Sequence, residues 1–240
     1  MDFYHGTPFG GKKADKRLAL TGRNALVPFN RLDDLQLVLE VCKGFRLDCG
    51  AYAIWRAGLS TYPHWDKYLA LVEKLHTHPK YRGAFIPDII AGTEAENDAL
   101  VRQFPAHLGG IPVFHMHHSL RRLRRLVLTY DEVALGGSPD YKQLKSAAWW
   151  NRMAAMMEAA CDEHGRPLSR LHGLRLMDRQ VIAHLPLTAG DSANAARNSA
   201  DKVGDLSRGQ RACLIADRVE QNSAAVSWGR TKGLHIDLFA

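Results

Sequence analysis

Residues 111–137 read IPVFHMHHSLRRLRRLVLTYDEVALGG. The opening IPVFHM is a short, nearly continuous apolar run, the pattern of a strand covered on both faces. SLRRLRRLVL follows, with leucines at 120, 123 and 126 making a helical stripe and arginines at 121, 122, 124 and 125 on the remaining faces. EVALGG is a second apolar run, stopped by two glycines. Strand, helix and strand in so short a stretch make one crossover unit of a parallel sheet.

The same alternation extends in both directions. Candidate strands fall at residues 3–5, 45–49, 85–90, 111–116, 132–135, 171–176 and 182–188, and helical spacing at 65–76, 94–107, 120–128 and 142–164. The last helix is expected to end at a C-capping Gly165. One more strand, at 226–228 or 234–238, would complete eight. The expected fold is therefore α/β, a (β/α)8 TIM-type barrel, with a trimmed or irregular closing element allowed for. The 240 residues suit one such domain spanning 1–240, since a barrel of this type takes ~250. GGKKADKR at residues 10–17 reads as a basic flexible loop, either a solvated turn or an arm that contacts phosphate.

Composition narrows the class. Apolar residues make up 46% and charged residues 24%, ordinary for a chain with a sizeable core. No apolar run is long enough to span a membrane, and MDFYHGTPFGGKKADKR has no signal-peptide core, so a cytoplasmic protein is expected, in the host cell if phage-encoded. Cys42, Cys49, Cys161 and Cys213 lack paired spacing, which favours buried free thiols over a disulfide framework or a cysteine zinc site. The net charge of +7 favours a polyanionic partner.

Chemistry in parallel α/β folds collects at the C-terminal ends of strands. Those positions hold Asp48-Cys49-Gly50-Ala51-Tyr52, Asp88, His115-Met116-His117-His118, Gly136-Gly137-Ser138, His172-Gly173 and Gly190-Asp191-Ser192. A carboxylate at the end of a buried strand is costly unless paired or used. Each acid alone could cap a helix or bind an arginine; three on one rim, interleaved with glycines, point to a site. Strand alternation would put His115 and His117 on one face, where Asp88 could join them around a metal, but a third clear ligand is missing. Ligand recognition or hydrogen-bonded packing is the expected use of these histidines.

In this order, the segments resemble the tRNA-guanine transglycosylase superfamily, closest to its short phage-type members that place 7-deazaguanines into DNA. The resemblance runs from Leu47 to Asn198. The family's Asp-Ser-Gly-Gly-Phe/Tyr motif is matched by Asp48-Cys49-Gly50-Ala51-Tyr52 and its next aspartate by Asp88. Val-Leu-Gln-Gly is matched by Val113-Phe114-His115-Met116, and Leu-Gly-Gly by Leu135-Gly136-Gly137. The phage-type Leu-His-Gly-Phe-Gly resembles Leu171-His172-Gly173-Leu174-Arg175, and Ala-Asp-Ser-Met-Ala-Trp resembles Gly190-Asp191-Ser192-Ala193-Asn194.

The resemblance implies a DNA-guanine transglycosylase that exchanges guanine for a 7-deazaguanine such as preQ0. Asp191 would be the nucleophile at the sugar C1′, and Asp48 would move protons to and from the bases. Asp88, His115, Gly136, Gly137 and Gly173 would bind the base, with Tyr52 and His172 sandwiching its ring. Arg175, Arg179, Arg197 and Lys202 lie near the motif loops and would contact phosphates. No metal or organic cofactor is implied; the partners are DNA and the incoming base. His115 stands where the family has glutamine, so an imidazole would replace an amide in base recognition. The tRNA-acting members carry a cysteine/histidine zinc site that this sequence lacks, which favours DNA. The alternatives are tRNA as substrate, or a nucleoside or glycoside hydrolase using the same carboxylates with water.

Overall fold

The computed structural model describes residues 1–59, 65–201 and 204–229. Nine parallel strand segments alternate with helices. They are β1 (Asp2–Gly6), β2 (Asn24–Pro28), β3 (Gly44–Asp48), β4 (Tyr81–Phe85), β5 (Gly110–Ile111), β6 (Val113–His115), β7 (Glu132–Gly136), β8 (Arg170–Gly173) and β9 (Ala189–Ser192). Their order around the sheet is β5-β4-β3-β2-β1-β9-β8-β7-β6, every pairing being parallel. This is a nearly closed TIM-like barrel.

The unsealed seam lies between β5 and β6, the two halves of the IPVFHM run. Pro112 separates them because it has no N–H to give a ladder. The first half pairs with β4, Phe85 opposite Ile111, and the second with β7, Val113 opposite Ala134. Backbone bonds continue across the bend, Ile86 N–H to Ile111 O at 2.9 Å and Ala134 N–H to Pro112 O at 2.9 Å. Counted as one bent strand, the pair brings the barrel to eight.

Strand alternation sorts side chains cleanly. Tyr4, Leu26, Phe85, Ile111, Val113, Ala134 and Ala189 point inward and fill the barrel. The opposite faces meet the helices in two outer cores. One gathers Val27, Phe45 and Leu47 under α1 (Lys13–Leu20), α2 (Leu35–Val41), α4 (Trp65–Leu75) and α10 (Arg208–Glu220). The other gathers Phe114, Val133 and Leu171 under α6 (Leu120–Thr129), α7 (Ala147–Ala160) and α8 (Arg179–His184). The remaining helices are α3 (Ala51–Arg56), α5 (Glu94–Gln103) and α9 (Asn194–Asn198).

Several expectations are corrected. The eighth strand is β2, whose NALVP carries too short an apolar run to stand out; residues 226–228 form no strand, and 234–238 lie outside the described residues. Residues 179–184 are helical because Asp178 caps them, accepting from Gln180 N–H and Val181 N–H, and the strand comes after them as β9. β4 ends at Phe85, leaving Asp88 in the loop beyond it. Helix α7 stops at Ala160, with Cys161 extended, before Gly165 is reached. The 10–17 segment turns into α1 at Lys13. The arginines of α6 are largely structural: Arg122 is buried against Asp98 at 2.8 Å, Arg125 also pairs with Asp98, and Arg124 bonds the carbonyls of Ala159 and Cys161. The cysteines agree with their reading as buried thiols at Cys42, Cys49 and Cys161, while Cys213 is half-buried.

A charged pair stands inside the barrel. Arg46, from β3, is 2% exposed and meets both oxygens of Glu132 on β7 at 2.7 Å. Its guanidinium lies 4.5 Å from the centre of the Tyr4 ring. A forked pair of this kind offsets most of the cost of desolvation, but only while both partners are present. Glu132→Ala is therefore expected to lower unfolding free energy by roughly 3–5 kcal/mol in urea titrations, whereas the charge-free Arg46→Met/Glu132→Leu pair stays near the parent.

Candidate active site

The C-terminal ends of the strands open into a cleft of two adjoining hollows, of about 360 and 370 Å³. Asp48, Tyr52, Arg175, Asp191 and Leu26 line both. The first hollow continues past Gly6, Thr7, Asn30, Arg31 and Arg197; the second past Asp88, His115, Gly136, Gly137 and Ser138. The three acids read from the sequence thus face one cleft. Alternation explains two of them: Asp48 is two residues beyond the inward Arg46, and Asp191 two beyond the inward Ala189.

Asp48 accepts Gly50 N–H at 2.9 Å, a turn made possible by Gly50 at φ 88°. Removal from water pushes its carboxyl up to about 6; Gly50 N–H opposes this, and the negative charges of Asp88 and Asp191 add to it. Asp191 is buried to 5% exposure and is held through one oxygen. Its Oδ1 accepts His172 Nε2–H at 3.0 Å and the backbone N–H of Arg175 at 3.2 Å. Arg175 reaches that bond by adopting φ 58°, and its guanidinium then lies 3.3 Å from the centre of the Tyr52 ring, between the two hollows. Hydrogen bonding from Arg175 lowers the Tyr52 phenol below its ordinary range.

Asp88 takes the Cys49 S–H at 3.4 Å on Oδ1 and lies 2.9 Å from His115 Nε2 through Oδ2. That second approach is off the direction of a good hydrogen bond, so it is a close polar contact. The other ring nitrogen of His115 donates to Gly137 O at 3.2 Å. Burial pushes the Cys49 thiol well up, keeping it protonated as a donor to Asp88. Gly136 is closely packed here, since a Cβ would stand 3.2 Å from both His115 Nδ1 and Val113 Cγ1, while Gly137 borders open space. The Ser138 hydroxyl is buried at the edge of the second hollow with no hydrogen-bond partner among the described residues.

His117 and His118 have other work. Both donate to Gly92 O, at 2.9 and 3.0 Å, and fasten the loop that carries Asp88. Burial holds His118 down to about 4, so it stays neutral. Asn97 completes the clamp, its amide bonding the backbone of Ile89 and Thr93. Among the described residues, no group of three or more histidines, cysteines or acids has the geometry to hold a metal ion.

His172 does not offer a face to a ligand. It is fully buried below the cleft, with Arg46 Nη1 donating to its Nδ1 at 2.7 Å, so it cannot sandwich a base. Gly173 is buried as well, since a Cβ there would meet Leu176 and Leu187 at 2.9 Å. Arg175 and Arg197 line the cleft, whereas exposed Arg179 borders a separate hollow with Met177 and Arg218. Lys202 lies outside the described residues. Arg46, Glu132 and Asn97 escaped the sequence reading as site residues, and Ser138 entered it only as the end of the Gly136-Gly137-Ser138 turn. Arg46 did leave a signal, a charge in the middle of the otherwise apolar GFRL run.

Comparison of the chain with protein-family models, with curated proteins and with solved structures finds no match. The site therefore has to be read from its own geometry.

The raised Asp48 carboxyl has a consequence for stability. Its folded-state pKa lies above the ordinary 3.8, so the fold binds this proton more tightly than the unfolded chain. Stability from Asp48 is intact below about pH 4 and lost as pH rises through about 6. Asp48→Asn is expected to be more stable than the parent at pH 8, by on the order of 2 kcal/mol, with the gap closing at pH 4 in parallel melts.

Proposed function

We propose that the protein exchanges guanine in DNA for a 7-deazaguanine base, preQ0-like, through a covalent aspartyl-deoxyribosyl intermediate. The observation that carries this reading is the convergence of Asp48, Asp88 and Asp191 on one cleft, with Asp48 poised near neutrality and Asp191 held by a single oxygen.

The chemistry runs as two displacements. Asp191 attacks C1′ of the target nucleotide from the face opposite the base. The C1′–N9 bond breaks, its electron pair leaves on guanine, and Asp48 supplies the proton that neutralises the departing base. The incoming 7-deazaguanine then gives its N9 proton back to Asp48, its N9 attacks C1′, and the Asp191 ester bond breaks. Configuration is retained, as in glycosidases that use a carboxylate nucleophile. A carboxyl at about 6 suits both proton transfers at neutral pH.

Recognition follows from the second hollow. Asp88 accepts from the N–H edge of a guanine-type base, and His115 with Gly136 and Gly137 forms the wall beside it. Ser138 adds an unused hydroxyl on the same wall. The first hollow is lined by Arg31, Arg175 and Arg197, which suits the sugar-phosphate backbone and agrees with the net charge of +7. DNA rather than tRNA is read from the likeness to the phage-type motifs.

Duplex DNA incubated with preQ0 or other 7-deazaguanines, then digested to nucleosides, is expected to contain the modified deoxynucleoside. Asp191→Asn should abolish it together with any denaturation-resistant protein–DNA adduct. Free guanine released with no base incorporated would instead mean a hydrolase. Arg175→Ala and Arg197→Ala are each expected to weaken DNA binding and to reduce the slope of log K against log salt by about 1. An unchanged slope would remove these side chains from the phosphate contacts.

A further inference from the structure

Four side chains from four strands form one line through the barrel: Glu132 on β7, Arg46 on β3, His172 on β8 and Asp191 on β9. Arg46 has five donors and no acceptor, and it is charged at every working pH. Its Nη1 lies 2.7 Å from His172 Nδ1, so that ring nitrogen must be the acceptor. His172 is then neutral and carries its proton on Nε2, which lies 3.0 Å from Asp191 Oδ1. The backbone N–H of Arg175 goes to the same oxygen at 3.2 Å. Among the described residues, no hydrogen bond reaches Oδ2.

We propose that Arg46, backed by Glu132, locks His172 in the tautomer that donates to Asp191 Oδ1, so that Oδ2 is presented as the reacting oxygen. His172 and Arg46 are positioning residues here, and the inference rests on Asp191 being the nucleophile. The distribution of charge makes the device effective. The two Arg46–Glu132 bonds at 2.7 Å satisfy the guanidinium within the barrel, and a neutral ring separates it from Asp191. Asp191 is oriented without a full positive charge against it, which would blunt its attack.

Among the described residues, the groups facing His172 are few. They are Arg46, Glu132 with Oε1 4.0 Å from Nδ1, Asp191, Tyr4 at 5.9 Å between ring centres, and Phe85 at 5.0 Å. Burial and the Arg46 charge work against protonation of the ring, while Asp191 and Glu132 favour it. Removing Arg46 and Glu132 together deletes the guanidinium that occupies Nδ1. A proton can then enter there, and an imidazolium would form against Asp191 below neutrality.

The test has two readouts. Nitrogen-15 NMR of histidine-labelled protein should show His172 as the neutral Nε2–H tautomer from pH 5 to 8. In Arg46→Met/Glu132→Leu, with folding checked by thermal melting, the same ring should titrate within that range. Base exchange by this variant should fall about 10- to 100-fold in kcat with KM for DNA unchanged, and decline more steeply than the parent's as pH drops. His172→Gln, whose amide can accept from Arg46 and donate to Asp191, should retain far more activity than His172→Leu.

An imidazolium or Nδ1–H form in the parent would overturn the inference whatever the reaction. So would a folded double variant with parental kcat, or equal rates in the Gln and Leu variants. The expected tautomer in a protein that exchanges no base would keep the Arg46–His172 lock and discard the base-exchange reading alone.

Discussion

A guanidinium cannot lose its proton, so one placed inside an apolar barrel must be neutralised where it stands. Arg46 is neutralised by Glu132 and capped by Tyr4, and what remains of its donor capacity goes to Arg82 O and to His172. The upper half of the barrel is built on that arrangement. Because Arg46 donates to Nδ1, His172 keeps its proton on Nε2; because that ring is fixed, Asp191 is held in one orientation. The pair spans β3 and β7, on opposite arms of the sheet order, so it also ties the barrel together across its interior.

Above that layer the balance of charge reverses. Asp48, Asp88 and Asp191 share one rim, and the charges of Asp88 and Asp191 raise the cost of ionising Asp48. Removal from water is the larger cause, and the Asp48 carboxyl rises to about 6. Asp191 accepts from His172 and the Arg175 N–H, and Asp88 from Cys49, with His115 close beside it. Three chemically identical side chains thereby acquire different environments. The arrangement costs stability, as expected where a fold keeps a poised acid.

Arg175 joins the two hollows of the cleft. Its left-handed backbone turns an amide toward Asp191, and its side chain covers Tyr52. A residue other than glycine held at φ 58° is unfavourable by itself and persists because both contacts favour it. The motif that carries it, Leu171-His172-Gly173-Leu174-Arg175, therefore supplies support below Asp191 through His172 and a wall above it through Arg175.

Much of the framework was legible in the sequence. The IPVFHM–SLRRLRRLVL–EVALGG unit appears as β5/β6, α6 and β7, and Asp48, Asp88 and Asp191 were singled out from their places near strand ends. Those features are local, since period-2 and 3.6-residue patterns and a polar residue ending an apolar run are visible along the chain. Tertiary structure alone decided which side chains meet. It paired Arg46 with Glu132, 86 residues apart, and joined His172 to both Arg46 and Asp191. It also turned His117 and His118 toward Gly92 O, and ended β4 short of Asp88. The physical reason is that composition and spacing determine which face a side chain occupies. The partner across a barrel depends on strand register and closure, which are settled by packing of the whole ring at once.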